Sequence, residues 1–266
     1  MEELIKEIKK KKEYRYIDDS LIRNVLEYVL EKGEIKDERE LIKKIRKLLH
    51  ETVGTYEVLN KDYIFSEFFE KLDKSNITKY DIYKILSLSW STRERMYYYE
   101  RIYKEIFSVT NKDEITILDM ACGLNPFSIF FIPKKVKLYV AFDVSHNIVN
   151  WVNRLLTKVN QGYAFVFNLL SGVNQELTEI NWNFVFLWKT VPLIEKIKKG
   201  ITKEFLQNLN YEFFVISFSK KTLGLRRYRQ KDWNNWISKI TKDLNLKIVK
   251  IFEIPNEKFY IIKKGF

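Results

Sequence analysis

Two aspartates close two successive apolar segments of the chain, and a tight turn lies between them. Asp119 ends the run "ITIL" at 115–118, and Asp143 follows "YVAF", twenty residues beyond the turn glycine Gly123. In an open parallel sheet, ligands bind beyond the carboxyl ends of the strands, where a glycine lets the backbone approach them. The spacing therefore predicts a ligand pocket at the ends of two neighbouring strands.

These residues favour S-adenosylmethionine over a dinucleotide as the ligand. A carboxylate that ends the second strand can bind both ribose hydroxyls, which assigns that role to Asp143. The turn is not G-x-G-x-x-G, the loop that cradles a pyrophosphate, and S-adenosylmethionine has no pyrophosphate. We therefore predict S-adenosylmethionine as the cofactor, with Gly123 beside it. Asp119 would hold the turn or bind the ligand's amino group, and Asn168 and Leu169, after the third strand, would flank adenine.

The fourth apolar segment, "FVFLWKTVP" at 184–192, contains no acid and no histidine. A site without a general base suits a nucleophile that has a free lone pair and no proton, such as N7 of guanine. Positioning and desolvation can then supply the rate. The reaction then demands no general base, and we assign no residue a certain catalytic role. Trp188 and Lys189 are candidate substrate-positioning residues, and Trp90, Trp188 and Phe127 are candidates to stack on a flipped base.

Periodicity predicts the elements that position these residues. From Glu2 to about Arg101, apolar residues recur three and four apart, which indicates about five helices. After residue 113, five short β-rich runs alternate with segments that suit helices. This alternation predicts parallel strands with helices on both faces of the sheet.

The C-terminal runs 247–253 and 258–264 are joined by too few residues for a crossover helix, so they predict an antiparallel hairpin. The expected fold is α/β: the Rossmann-like sheet of class I methyltransferases, with five parallel strands plus this hairpin, and an N-terminal all-helical domain. We place the helical domain at 1–108 and the methyltransferase domain at 109–266.

Composition argues against several kinds of site. The chain has one cysteine, Cys122, and two histidines, His50 and His146, which disfavours a zinc site and a Ser/His/Asp relay. No apolar run of 18 residues is free of charges, and no signal peptide is recognisable. We expect a cytoplasmic monomer that makes no membrane contact.

The net charge of +12 is concentrated near the C-terminus. Residues 220–266 hold thirteen basic and four acidic residues, whereas the charges of residues 1–80 cancel. A polyanion such as RNA is attracted to a basic surface of this kind. One loop supplies six candidate RNA-binding residues: Lys220, Lys221, Arg226, Arg227, Arg229 and Lys231. A solvated charged loop without a partner is the alternative.

Several segments, in order along the chain, resemble one enzyme family. "LDMACGLNP" at 118–126 is similar to its "LDxGCGxNP" turn, "STRER" at 91–95 to its "SSTxER" element, and "FLWKTVP" at 186–192 to its "LLKxLP" segment. "KLLHETVGTY" at 47–56 and "FVISFSKKTLG" at 214–224 resemble two further motifs. The family is the aminoglycoside-resistance 16S rRNA (guanine-N7) methyltransferases, the Arm/Rmt group.

The resemblance implies an S-adenosylmethionine-dependent RNA methyltransferase that acts on N7 of a guanine in the decoding region of 16S rRNA, in the assembled small ribosomal subunit, and that confers aminoglycoside resistance. It also implies that Arg95 grips the methionine carboxylate. Two departures are Ala121, where the family has glycine, and "LRRYRQKDW" at 225–233, which replaces a glycine-rich stretch. They leave two alternatives open: an enzyme for another RNA, such as tRNA or a different rRNA base, and a catalytically silent RNA-binding or ribosome-assembly factor.

Overall fold

The computed structural model describes residues 1–33, 35–53, 61–220 and 233–264. In these ranges one sheet has the strand order β3-β2-β1-β4-β5-β7-β6. Its strands are β1 (Glu114–Met120), β2 (Lys135–Asp143), β3 (Gly162–Val166), β4 (Trp182–Trp188), β5 (Tyr211–Ser219), β6 (Leu246–Ile254) and β7 (Glu257–Lys264). The first five strands are parallel, and β7 pairs antiparallel with β5 and with β6. This pairing agrees with the predicted parallel sheet and C-terminal hairpin.

The strands form where apolar residues run on without a helical period. In β4, "WNFVFLW", every residue but Asn183 is buried, because helices cover both faces of a parallel sheet. The edge strand β6 is mostly exposed or half-buried, and it carries Lys247 and Lys250. Lysines on an edge strand discourage pairing with another chain.

The helices precede the sheet and connect its strands. They are α1 (Glu2–Lys9), α2 (Asp19–Glu31), α3 (Glu38–Val53), α4 (Asp62–Asp73), α5 (Lys79–Leu86), α6 (Trp90–Arg95), α7 (Tyr99–Phe107), α8 (His146–Lys158), α9 (Gln175–Thr178), α10 (Val191–Ile197), α11 (Ile201–Asn208) and α12 (Trp233–Asp243). Seven α-helices and one short 3-10 helix (Lys12–Tyr14) of the described residues precede β1, where about five helices were predicted. One reason is that the Tyr98 N–H donates to the Arg95 carbonyl (2.7 Å) and closes a turn between α6 and α7. No glycine or proline marks that turn.

Helices cover both faces of the sheet and form two hydrophobic clusters with it. Residues of α4, α5, α7 and α8 pack on one face, around Phe127 and Phe184. Residues of α1, α2, α3 and α10 to α12 pack on the other face, around Leu118 and Phe205. The N-terminal helices therefore share both clusters with the sheet. The predicted boundary at 108/109 falls in the link between α7 and β1, and it stays a prediction.

Candidate functional site

The turn after β1 joins the ends of β1 and β2. The Cys122 N–H donates to the Phe142 carbonyl (3.0 Å), and the Gly123 N–H donates to a carboxylate oxygen of Asp143 (3.0 Å). Gly123 has φ +51°, in the left-handed region that glycine adopts readily. Ala121 adopts the same region at φ 53°, which costs an L-residue on the order of 1 kcal/mol. A backbone conformation with this cost is typical of functional sites.

Asp143 holds its carboxylate at the end of β2 and is 3% exposed. One oxygen accepts the Gly123 N–H, and the other accepts the Ser145 N–H (3.0 Å). These two bonds orient the carboxylate, which can accept about four hydrogen bonds in all. Asp143 and Gly123 line the same cavity. The structure thus brings the two residues together as predicted, and the ribose role of Asp143 stays a prediction.

Asp119 is buried at the end of β1, where it braces the turn. One of its oxygens accepts from the Asn125 amide (2.8 Å) and from the Tyr139 hydroxyl (2.7 Å). Asn125 accepts in turn from the Tyr99 hydroxyl of α7 (2.9 Å). Burial raises the pKa of Asp119 to about 7, although the two hydrogen bonds and the charge of Arg95 act to lower it. Of the two predicted roles, this geometry supports holding the turn.

Asp119 gives the protein a stability that declines with rising pH. Its unfolded pKa of 3.8 lies below the folded value of about 7, so between these values the native state binds one more proton. Its contribution is complete below pH ~4 and is lost as pH rises through ~7, by on the order of 4 kcal/mol at 1.36 kcal/mol for each pH unit. Urea unfolding at a series of pH values should show that the free energy of unfolding of Asp119→Asn rises relative to that of the wild type between pH ~4 and ~7. A pH-independent difference between the two proteins would contradict the assignment.

A second buried cluster surrounds Arg95, which is 3% exposed. Its Nε donates to Glu257 (2.8 Å), and its guanidinium lies 4.9 Å from the centroid of the Trp188 ring. Glu257 is fully buried, accepts from the Ser217 hydroxyl, and lies 3.4 Å from Nζ of Lys189. Burial acts to raise the pKa of Glu257, but the positive charges of Arg95 and Lys189 hold it below its usual value. The cluster therefore retains both signs of charge inside the protein.

No pattern in the sequence marked Glu257, which lies 162 residues from Arg95. A glutamate next to a hairpin turn is usually solvated. Here the antiparallel register pairs it with Ser219 of β5 and places it among buried residues. The partner of Arg95 is therefore neither a neighbour in sequence nor on the surface. Both Arg95 and Lys189 line the cavity, and the role of Arg95 toward a methionine carboxylate stays a prediction.

Asn168 and Leu169 follow β3 and also line the cavity. The Asn168 amide donates to the Asn24 side chain (2.8 Å) and to the Ser20 hydroxyl (3.2 Å), both on α2, and its oxygen accepts the Leu170 N–H (3.0 Å). This side chain ties the end of β3 to an N-terminal helix. The position matches the predicted adenine edge, and the contact with adenine stays a prediction.

Two of the three aromatic candidates for base stacking line the cavity, and Phe127 does not. Phe127 is fully buried, and its ring centroid lies 5.7 Å from that of Phe65 and 5.3 Å from that of Phe68. The hypothesis that Phe127 stacks on a base is wrong, because core packing leaves no room for a ligand. Trp188 is 6% exposed, whereas Trp90 is 44% exposed. Trp90 is therefore the candidate that a large ligand can reach.

The carboxylates at the ends of β1 and β2 and the buried charges around Arg95 border one cavity of about 1460 Å³. A single small ligand needs roughly 300–1,000 Å³, so the cavity has space for a second group. Seven residues of α3 line it, and besides Ile42 and Glu51, which pairs with Lys196, they are Arg39, Lys43, Arg46, Lys47 and His50. Residues three and four apart share one helix face, so these side chains form a basic stripe. A count of charges over residues 1–80 gives zero and so did not reveal the stripe. The spacing of its basic residues, three and four apart in sequence, could have revealed it.

Of the six predicted RNA-binding residues, Lys220 lies within the described part of the chain. Its Nζ is 2.6 Å from a carboxylate oxygen of Glu253. The other five lie outside the described residues: Lys221, Arg226, Arg227, Arg229 and Lys231. Their part in RNA binding stays a prediction.

The described residues contain no group of three or more His, Cys, Asp or Glu side chains arranged to hold a metal ion. Nor do they contain a helix whose length and apolar character would let it cross a membrane.

Residues 10–232 match the model of a family described as "Ribosomal RNA methyltransferase (FmrO)". The chain belongs to this family. The resemblance inferred from the motifs is thereby confirmed. A "16S rRNA (guanine(1405)-N(7))-methyltransferase" of Proteus mirabilis is 26% identical to this rRNA methyltransferase over 281 residues, which cover 99% of this chain and 97% of the relative. A protein of the same name from Micromonospora rosea is 25% identical over 274 residues, with the same coverage.

Solved structures are similar over the whole of this rRNA methyltransferase. The 16S rRNA methyltransferase RmtF, in complex with S-adenosyl-L-homocysteine, has a TM-score of 0.83 at 22% identity and covers 99% of this chain and 98% of its own. The 16S rRNA methylase RmtB has a TM-score of 0.76 at 20% identity with the same coverage. The similarity includes the N-terminal helices as well as the sheet, so both parts belong to the shared fold.

Proposed function

We propose that this rRNA methyltransferase transfers the methyl group of S-adenosylmethionine to N7 of a guanine in the 16S rRNA of the small ribosomal subunit, the reaction for which its curated relatives are named. The observation that carries the proposal is one cavity that joins the Gly123–Asp143 pair to the basic stripe of α3. The Gly123–Asp143 pair suits an adenosyl group, and the basic stripe suits RNA phosphates.

The residues at the strand ends fit S-adenosylmethionine. The Asp143 carboxylate, already oriented by two backbone N–H groups, would accept the ribose hydroxyls. Asn168 and Leu169 would flank adenine, and the planar guanidinium of Arg95 would bind the methionine carboxylate. When bound, S-adenosylmethionine supplies a methyl group on a positively charged sulfur. RmtF, which shares the fold, carries S-adenosyl-L-homocysteine.

The chain's contribution to the chemistry is to position the base and to exclude water. N7 of guanine has a lone pair and no proton, so no side chain has to remove one. Carboxylates of the cavity have structural partners: Asp119 braces the turn, and Glu94 pairs with Lys189. Holding N7 in line with the methyl group inside a dry cavity can supply several powers of ten in rate.

The basic stripe of α3 would form the surface that faces the RNA. Arg39, Lys43 and Lys47 are exposed, and none of them forms an ion pair with an acid in the described ranges. Lys44 of the same helix, by contrast, pairs with Glu40 (2.9 Å). Unpaired cations at the mouth of a cavity are available to phosphates, and each such contact releases counterions.

Removing three charges from the stripe should weaken RNA binding and flatten its salt dependence. For Arg39→Ala/Lys43→Ala/Lys47→Ala we expect the slope of log affinity against log salt to fall by about 2 to 3, since each phosphate contact contributes roughly 0.7 to 0.9. Filter binding of small ribosomal subunits at several salt concentrations measures the slope.

A matched control removes three exposed lysines that neither line the cavity nor belong to the basic segment 220–266: Lys137, Lys199 and Lys203. The control has the same net charge as the stripe variant. Equal slopes for the two variants would show that the stripe is an ordinary solvated face.

A labelled methyl-transfer assay tests the proposed function directly. Small subunits, free 16S rRNA and tRNA are incubated with the protein and methyl-labelled S-adenosylmethionine, and the modified RNA is then treated with borohydride and aniline. We expect label in small-subunit RNA and chain cleavage at one guanine, because this treatment cuts at N7-methylguanine. Label in tRNA, or label without cleavage, would show that the enzyme modifies another RNA or another atom. No label in any RNA would favour a silent RNA-binding or assembly factor.

Residues 1–108 would dock on the rRNA, together with the six basic residues from Lys220 to Lys231, and residues 109–266 would carry the cofactor. The protein would act in the cytoplasm as a monomer, and the methylated guanine would confer aminoglycoside resistance. Expression in a susceptible bacterium, with and without Asp143→Ala, tests resistance by the minimal inhibitory concentration.

A further inference from the structure

Helix α6 presents a tryptophan and a glutamate to the cavity, one turn apart. Trp90 and Glu94 are separated by four residues, so their side chains lie on the same face of the helix, and both line the cavity. The next residue, Arg95, belongs to the proposed methionine site. The helix therefore places an aromatic ring and a carboxylate close to the position proposed for the reactive end of the cofactor.

Among the tryptophan, tyrosine and phenylalanine side chains of the described residues that line the cavity, Trp90 is the most exposed. The guanidinium of Arg93 lies over its ring, 4.9 Å from the centroid. A ring that is held in this way and is 44% exposed offers a flat apolar surface beside the cavity. Flipped bases stack on such surfaces, and stacking tolerates any base.

Glu94 adds a group that distinguishes one base from another. Its side chain is 15% exposed, and it pairs with the ammonium group of Lys189, which is also 15% exposed. Guanine presents N1–H and N2–H donors beside the O6 acceptor. A carboxylate can accept from the two donors while a neighbouring ammonium donates to O6. Adenine presents a lone pair at N1, which a carboxylate repels.

The backbone around Lys189 holds this pair in position. Lys189 has φ 61°, the left-handed region, although it is not glycine. Its N–H donates to the carbonyl and to the hydroxyl of Ser217, both at 3.0 Å. A non-glycine residue in this region has a conformational cost that surrounding contacts must offset, which is common where a side chain has to be aimed.

We propose that Trp90 stacks on the target guanine and that Glu94, held by Lys189, accepts hydrogen bonds from its N1–H and N2–H groups. The inference rests on the proposed function, and it assigns to α6 the selection of guanine over other bases. Both are positioning and specificity residues; neither takes a proton from N7.

The proposed stacking of Trp90 on guanine is tested by measuring initial rates of methyl transfer to small subunits at limiting subunit concentration. Trp90→Ala should lower kcat/KM by about 10- to 100-fold, the range that one stacked base contributes. Trp90→Phe should recover most of the loss, and affinity for S-adenosylhomocysteine should stay unchanged in both variants. Tyr163→Ala is the matched control, because Tyr163 is an exposed aromatic outside both the cavity and the proposed docking residues 1–108. A Trp90→Ala enzyme as active as the control would overturn the stacking assignment.

The proposed recognition of guanine by Glu94 is tested by combining a substitution of Glu94 with a replacement of the target base. Small subunits are rebuilt with inosine, which lacks the N2 amine but keeps N7, at the nucleotide mapped by aniline cleavage. For the wild type we expect inosine to lower kcat/KM by about 10-fold. For Glu94→Gln the same replacement should cost less than about 3-fold, because the charged acceptor for N2–H is already absent.

Glu105→Gln is the control for the removed charge, since Glu105 pairs with Lys250 (2.7 Å) outside the cavity. A full inosine penalty in Glu94→Gln, or no penalty in the wild type, would overturn the assignment of Glu94. These results are separable from failure of the proposed function. If the wild type methylates no guanine, the proposed function is wrong before any variant is compared.

Discussion

Asp143→Ala is expected to lower the affinity for S-adenosylhomocysteine by at least about 100-fold. The substitution would remove the two hydrogen bonds that we propose between the ribose hydroxyls and this carboxylate. Each is worth roughly 1.5–3 kcal/mol, and every 1.4 kcal/mol is a factor of ten. It also leaves the N–H groups of Gly123 and Ser145 without the carboxylate that accepts them and holds the turn. Isothermal titration calorimetry measures the affinity.

Two controls separate lost binding from lost folding. Asp73→Ala removes an exposed carboxylate that pairs with Lys158, and it should bind S-adenosylhomocysteine like the wild type. Thermal melting of Asp143→Ala should remain cooperative, since the sheet keeps its pairing. A folded Asp143→Ala with wild-type affinity would remove the basis of the adenosine pocket.

Arg95→Met is expected to cost both stability and recognition of the methionine end. Glu257 is fully buried, and removing one partner of a buried pair typically costs 3–5 kcal/mol, here reduced by the Lys189 charge that remains nearby. Affinity for S-adenosylhomocysteine should fall by about 10- to 100-fold, the value of a charged hydrogen bond. Affinity for 5′-methylthioadenosine, which lacks the carboxylate, should hardly change.

A second substitution distinguishes the two roles of Arg95. In Arg95→Met/Glu257→Gln the unpaired buried charge is gone, while an acceptor for the Ser217 hydroxyl remains. Urea unfolding should therefore show recovered stability, whereas the preference for S-adenosylhomocysteine over 5′-methylthioadenosine should stay lost. If the double variant keeps the wild-type preference, Arg95 is a structural residue and another group binds the carboxylate.

The strands and the cofactor end of the site were predictable from local sequence. Parallel strands place their carboxyl ends at one edge of a sheet, so Asp119, Gly123 and Asp143 were certain to meet once the runs that contain them became neighbouring strands. The helices were predicted less well, because the turn between α6 and α7 is closed by backbone hydrogen bonds that no glycine or proline announces.

The sequence by itself determined the short β-rich runs, the short hairpin joint and the acid-turn-acid spacing, because these depend on residues close together in the chain. Only the tertiary structure decided that Glu257 neutralises Arg95 from 162 residues away, and that Trp90 is reachable whereas Phe127 is core. It also decided that the stripe of α3 borders the same cavity. Burial and the pairing of distant charges follow from how helices pack on the two faces of the sheet, and local periodicity carries no information about that packing.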